Sequence, residues 1–227
     1  MAATIRVWDL PIRLFHWGLV VLIGFSWWSG KAHLMDWHRR SGYVILGLLV
    51  FRIFWGFAGS RNARFAAFIK GPGAVLTYAR TVVGRAPGYG PSRPGHNPMG
   101  GWSVAALLLV LVAMVCAGLF AVDVDGLESG PLADWVSFAT GRQAAHVHGF
   151  VFNLLLALIA LHVLAIAFYR LWLKQELVWP MVTGRAPGDG TDDGPGSVAI
   201  WRVLVGVVLA GGVAWAVSRG FMVAAGS

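Results

Sequence analysis

Charge is scarce in this sequence and cysteine almost absent. Only 12% of the 227 residues are charged, against about 25% in a soluble domain. So little polar surface cannot cover a globule of this length. An ordinary soluble enzyme, a disordered chain and a nucleic-acid-binding domain are excluded. The single cysteine, Cys116, lies in an apolar run, which rules out an intramolecular disulfide, a cysteine zinc site and an iron–sulfur cluster. No Cys-x-x-Cys-His occurs, so a covalently attached haem is excluded as well. There is no P-loop and no glycine-rich nucleotide loop after a strand. Gly71-Pro72-Gly73, with proline at its centre, suits a helix break better than a phosphate cradle.

What is present is apolar. Hydrophobic residues make up 57% of the chain, with 12 Trp and 13 Phe. A membrane-spanning helix needs about 20 mostly apolar residues. Five stretches qualify or nearly do: about Leu14 to Ser29, Ser41 to Ala58 (interrupted by Arg52), Ser103 to Val122, Val147 to Leu171, and Val198 to Val217. The first follows Arg6 and Arg13 but has no small-x-small cleavage site and contains Trp27 and Trp28, so it reads as a retained helix rather than a signal peptide. The first four stretches hold no Asp or Glu, whereas a transporter or proton channel usually carries a buried carboxylate chain.

The connections divide by charge. Arg6 and Arg13 precede the first stretch, and Arg61, Arg64, Lys70, Arg80, Arg85 and Arg93 follow the second with no acid among them. The loop after the third stretch holds Asp123, Asp125, Glu128 and Asp134 against Arg142. The positive-inside rule then puts the N-terminus and the 59–102 loop in the cytoplasm. The 30–40 and 123–146 loops face outward, and with five helices the C-terminus is periplasmic. The acids near Lys174 and Arg185 lend the fourth connection no support. Phe65, Phe68, Ile69, Val75, Tyr78 and Val82 alternate with Arg64, Lys70 and Arg80, which predicts interfacial amphipathic helices broken at Gly71-Pro72-Gly73. Residues 84–101 should be irregular. Pro131 to Phe138 are expected to form a short surface helix. Residues 1–183 form the main membrane domain, 184–197 a flexible linker, and 198–227 an additional helix and tail. Gly-Arg-Ala-Pro-Gly occurs at 84–88 and 184–188, too short to be a repeat.

Seven histidines in so apolar a chain are the main functional signal. His148 and His162 are 14 residues apart on one helix. They therefore differ by roughly 40° in direction and roughly 21 Å in height. His16 opens the first stretch on the cytoplasmic side, and His38 immediately precedes the second on the outer side. An inner pair, His16 with His162, and an outer pair, His38 with His148, result. Two bis-histidine sites stacked across a four-helix bundle are what two non-covalent b-type haems need. Saturated iron favours electron transfer over oxygen chemistry. The alternative for any single one is a histidine that only bonds a neighbouring helix. His146 points about 200° from His148, and His33 sits in a loop. His96, before the third stretch, is open to three roles: helix cap, propionate partner or part of a quinone site. Arg52, 14 residues after His38, falls near the inner pair. Arg52 or Arg13 would face the inner haem's propionates, unless Arg52 snorkels to the interface. Lys31, Arg39 and Arg40 stand near the outer pair. The histidines lack the tight spacing of a zinc site.

Three stretches, Arg6-Val-Trp-Asp-Leu-Pro-Ile-Arg-Leu-Phe-His16-Trp, Trp37-His38-Arg-Arg-Ser-Gly42-Tyr and the helix from His148 to His162, resemble the bacterial cytochrome b561 family. That family includes the b-type cytochrome subunits of membrane-bound nickel–iron hydrogenases. The resemblance covers about residues 4–185. It implies an all-α membrane protein of the bacterial inner membrane: a four-helix transmembrane bundle holding two b haems on His16, His38, His148 and His162. The fifth helix lies outside that core. It also implies electron transfer between the membrane quinone pool and a periplasmic partner, with quinone oxidoreductase activity as an enzymatic possibility. Gly95-His-Asn-Pro-Met-Gly-Gly-Trp102 resembles a subgroup found beside soluble c-type cytochromes. The acidic outer loop suits steering of a basic cytochrome, although those acids also follow from the positive-inside bias. The other roles carried by the resemblance are an anchor and relay for a hydrogenase or other dehydrogenase, and a stand-alone superoxide:quinone oxidoreductase.

Overall fold

The computed structural model describes residues 4–84, 95–187, 196 and 198–220. Arg85 and Arg93 of the basic loop, most of the 184–197 linker and the 221–227 tail lie outside them. Among the described residues five helices are long and apolar enough to cross a membrane: α1 (Leu10–Lys31), α2 (Met35–Ala58), α5 (Pro98–Phe120), α6 (Phe138–Leu171) and α8 (Ile200–Ser218). Shorter helices are α3 (Phe65–Phe68), α4 (Pro72–Val83) and α7 (Val178–Thr183). Large apolar side chains along the long helices, among them Leu109, Phe150, Leu164 and Val208, are exposed. A soluble protein hides such surface, whereas a bilayer covers it.

The chain divides into two compact units. The first takes in Met1–Leu14, Phe54–Leu107 and Ala157–Arg202, the second Phe15–Ile53, Leu108–Leu156 and Val203–Ser227.

In the first unit the start of α1 is fixed by one carboxylate. Asp9 Oδ1 accepts from the Ile12 backbone N–H at 2.8 Å, capping the helix, and Oδ2 accepts from Trp55 Nε1 at 2.9 Å. Strand β1 (Thr4–Arg6) pairs antiparallel with β2 (Arg185–Pro187), Ile5 opposite Ala186. The turn into β2 needs Gly184, which ends α7 at φ +80° and whose Cβ would stand 2.8 Å from the Trp8 carbonyl. Residues 184–187, expected as flexible linker, are thus a helix cap and a strand. The predicted break at 71–73 is a helix start: Gly71 is the N-cap of α4 and Pro72 its first residue, where proline's missing N–H costs nothing.

In the second unit α1 hands over to α2 within three residues. The Leu34 N–H bonds the Ser29 carbonyl at 2.9 Å and the His33 N–H the Gly30 carbonyl at 3.3 Å, with His33 left-handed at φ +57°. This is the Schellman end of a helix with histidine where glycine is usual. Because the turn is so short, α2 begins at Met35 and His38 lies in its first turn. The expectation that His38 precedes the helix is corrected accordingly. At the other end of the unit, α6 starts nine residues before the expected Val147, because the Ser137 hydroxyl accepts from the Thr140 N–H at 3.2 Å and caps it. The surface helix expected over 131–138 is only a 3-10 turn, Ala133–Trp135. Residues 121–137 instead fold into a hairpin tied to the helix ends, with Gly130 N–H on the Ala121 carbonyl at 2.7 Å and Arg142 on the Val122 carbonyl at 2.8 Å. Helix α8 meets α2 through small residues: a Cβ on Gly47 would stand 3.5 Å from the Ala210 carbonyl and 3.6 Å from Ala214 Cβ. Close backbone approach of this kind packs helices that have no hydrophobic effect to join them.

Candidate functional site

The second unit contains a cavity of about 450 Å³, within the range of small-molecule and cofactor sites. Its wall is mostly apolar, with Ile23, Ile45, Leu111, Val115, Phe152 and Leu155 among the lining residues. Two imidazoles, His38 from α2 and His148 from α6, also line it. Their ring centroids are 6.0 Å apart and their planes stand at 85°.

Each ring is held from behind. His38 Nδ1 lies 2.9 Å from the Ser26 carbonyl on α1, and His148 Nδ1 lies 2.9 Å from the Met114 carbonyl on α5. A carbonyl only accepts, so Nδ1 carries the proton in both rings and Nε2 is the basic nitrogen. Ser26 Oγ stands 3.3 Å from the same Nδ1 of His38, and the buried Ser29 hydroxyl donates to the Ser26 carbonyl at 3.1 Å. A ligating histidine is oriented in this way, its second nitrogen donating to a backbone carbonyl.

The pair fits a metal held between two neutral imidazoles. Two metal–nitrogen bonds of about 2 Å each, with the distance from nitrogen to ring centre added at both ends, come to about 6 Å. The apolar cavity around the pair suits a flat, largely hydrophobic cofactor. No group of three or more His, Cys, Asp or Glu side chains that could hold a metal ion occurs among the described residues, so a two-ligand centre of the haem type suits this donor set better than zinc.

The remaining candidates are placed as follows. His146 and His33 are exposed and do not line the cavity. Lys31 and Arg39 line it, while Arg40 lies over the Trp37 ring at 5.3 Å. Arg39 is engaged by Glu128 of the hairpin and, at 2.6 Å, by Asp36. His16, half-buried on α1, belongs to the second unit and has its ring edge-on to Trp17 at 5.0 Å. His162, half-buried on α6, belongs to the first. Arg52 is only 3% exposed, which removes the snorkelling alternative. The Arg13 guanidinium donates to the Val182 carbonyl. His96 does not cap α5. Asn97 does, its Oδ1 accepting from the Gly100 N–H at 2.7 Å, while the His96 ring packs against Trp8 and Phe68 at 4.6 and 4.9 Å. Sequence reasoning missed the two carbonyls behind the rings. Backbone acceptors leave no side-chain signature, and the one available signal was a glycine near each.

The family model for prokaryotic cytochrome b561 matches residues 7–184. Comparison with curated proteins and with solved structures finds no match. The chain belongs to the prokaryotic cytochrome b561 family. It is a multi-pass membrane protein and a b-type cytochrome of membrane electron transfer, with b-type haem as its cofactor.

Proposed function

We propose that the chain is a dihaem cytochrome that moves electrons across the bacterial inner membrane, between the quinone pool and a periplasmic c-type cytochrome. The observation that carries this reading is the pair His38 and His148, two imidazoles with ring centres 6.0 Å apart on the wall of one mostly apolar cavity. His38 and His148 hold the outer haem, and His16 and His162 the inner one. Bound haem supplies a one-electron redox centre, and with two histidine ligands it has no open position for oxygen.

The chain's own residues do the rest. The Ser26 and Met114 carbonyls keep the proton on Nδ1 and make each imidazole a stronger donor. The mostly apolar lining lowers the polarity around the centre. Arg52, buried about two turns before the end of α2, supplies the fixed positive charge that a propionate of the inner haem pairs with. Arg13, three residues before His16 on α1, is the other candidate for this role, and its guanidinium also donates to the Val182 carbonyl. The N-terminus and the 59–102 loop face the cytoplasm and the 121–137 hairpin the periplasm.

Purified protein reconstituted into quinol-containing vesicles tests the reading. Soluble c-type cytochrome added outside should exchange electrons with the vesicle quinone pool, and His148→Ala should abolish the exchange. No exchange by the haem-loaded protein would overturn this assignment of partners.

A further inference from the structure

In an α-helix each Cα–Cβ bond leans toward the N-terminus, so the side chain at position i+4 lies over the carbonyl of residue i. That carbonyl has a second lone pair beyond the helix ladder. A group from a neighbouring helix reaches it only where the covering side chain is missing or small. Two carbonyls of the second unit are reached in this way, Ser26 by His38 and Met114 by His148. In both cases the residue four positions further on is glycine, Gly30 and Gly118.

The fit is close. A Cβ on Gly30 would stand 3.0 Å from His38 Nδ1, and a Cβ on Gly118 would stand 3.0 Å from both Nδ1 and Cε1 of His148. Contacts that short force the neighbour to move, and the neighbour here is the ring making the hydrogen bond. Gly24 of α1 is free of this constraint, a Cβ there meeting nothing within 4 Å, whereas Gly56, Gly101 and Gly141 are crowded by neighbours other than a histidine ring.

We infer that Gly30 and Gly118 are positioning residues for the outer haem: each uncovers the carbonyl that orients one ligand ring, and together they hold the two rings perpendicular. The inference rests on the reading that His38 and His148 ligate that haem. Two consequences follow for the loaded protein. The Nδ1–H···O=C bonds raise ligand basicity and so stabilise ferric iron, which lowers the reduction potential. Rings at 85° also interact with two different iron d orbitals of π symmetry, leaving them nearly degenerate. Parallel rings would split that pair.

The test compares Gly30→Ala and Gly118→Ala with Gly24→Ala, each purified with its haem. Haem content, midpoint potential and low-temperature EPR of the ferric protein are recorded. In the wild type, the signal that disappears in His148→Ala should be the strongly anisotropic low-field feature of near-degenerate orbitals. In Gly30→Ala and Gly118→Ala that signal should move toward a rhombic three-line spectrum and its potential should rise, or that haem alone should be lost. Gly24→Ala should match the wild type. Gly30→Ala and Gly118→Ala behaving like Gly24→Ala, while His38→Ala and His148→Ala each lose one haem, would overturn the glycine assignment and leave the ligand assignment standing. Retention of both haems in the histidine variants would overturn both. If the glycine variants do not accumulate, the wild-type spectrum decides, and a rhombic signal from the His148-dependent haem counts against the inference.

Discussion

The imidazoles of His38 and His148 stand 6.0 Å apart, centre to centre, and at 85° to each other, although the two residues lie more than a hundred positions apart in the sequence. Each ring has a backbone carbonyl behind it. From this relationship the first expected outcome follows. His38→Ala and His148→Ala each reduce haem content from two per chain to one, and the same haem is lost in both. A pyridine haemochrome assay with redox titration of each variant checks this, since the surviving haem should have the same potential in both proteins.

Asp9 holds two elements with two oxygens, the α1 cap and the Trp55 indole. Asp9→Ala should destabilise the protein by roughly 2 kcal/mol, the sum of a lost cap and a lost hydrogen bond. Asp9→Asn keeps a capping oxygen but places an N–H donor in the other position, and should cost about half as much. Thermal unfolding in detergent, followed by far-UV circular dichroism, ranks the three proteins.

His33 occupies a left-handed position at φ +57°, which strains any residue with a Cβ. It is exposed and takes no part in the cavity. His33→Gly should therefore raise stability by up to about 1 kcal/mol, the relief of strain offset in part by the freedom glycine has when unfolded. Haem content should not change. A fall in haem content would mean that His33 does more than close the turn.

The orientation is tested with the native cysteine removed. In a Cys116→Ser background, Asp125→Cys on the hairpin should react with a membrane-impermeant maleimide in intact spheroplasts. Arg80→Cys on α4 should react only after lysis. The reverse pattern would invert the topology read from the charges.

Much of this was legible in the residues. Five spans follow from apolar length alone, and the facing of His38 and His148 follows from helical spacing with alternating topology. The helix starts were not legible, for local reasons. Met35 to Arg40 carry Asp36, Arg39 and Arg40 and look like a loop, yet the left-handed turn at His33 starts α2 there. Phe138 to His146 are not uniformly apolar, yet the Ser137 cap begins α6 ahead of the membrane. The β1–β2 pair escaped notice because Thr4–Arg6 and Arg185–Pro187 are three residues each and lie far apart in the chain. The carbonyls of Ser26 and Met114 escaped notice because any residue presents one. Only the glycines four positions later mark them.

The most direct measurement is a pyridine haemochrome and redox-difference spectrum of the detergent-purified wild-type protein, with haem counted per chain. Two low-spin b haems per chain are expected. One haem would mean that a histidine pair has been wrongly assigned, and no haem after expression with ample haem supply would contradict the central claim outright.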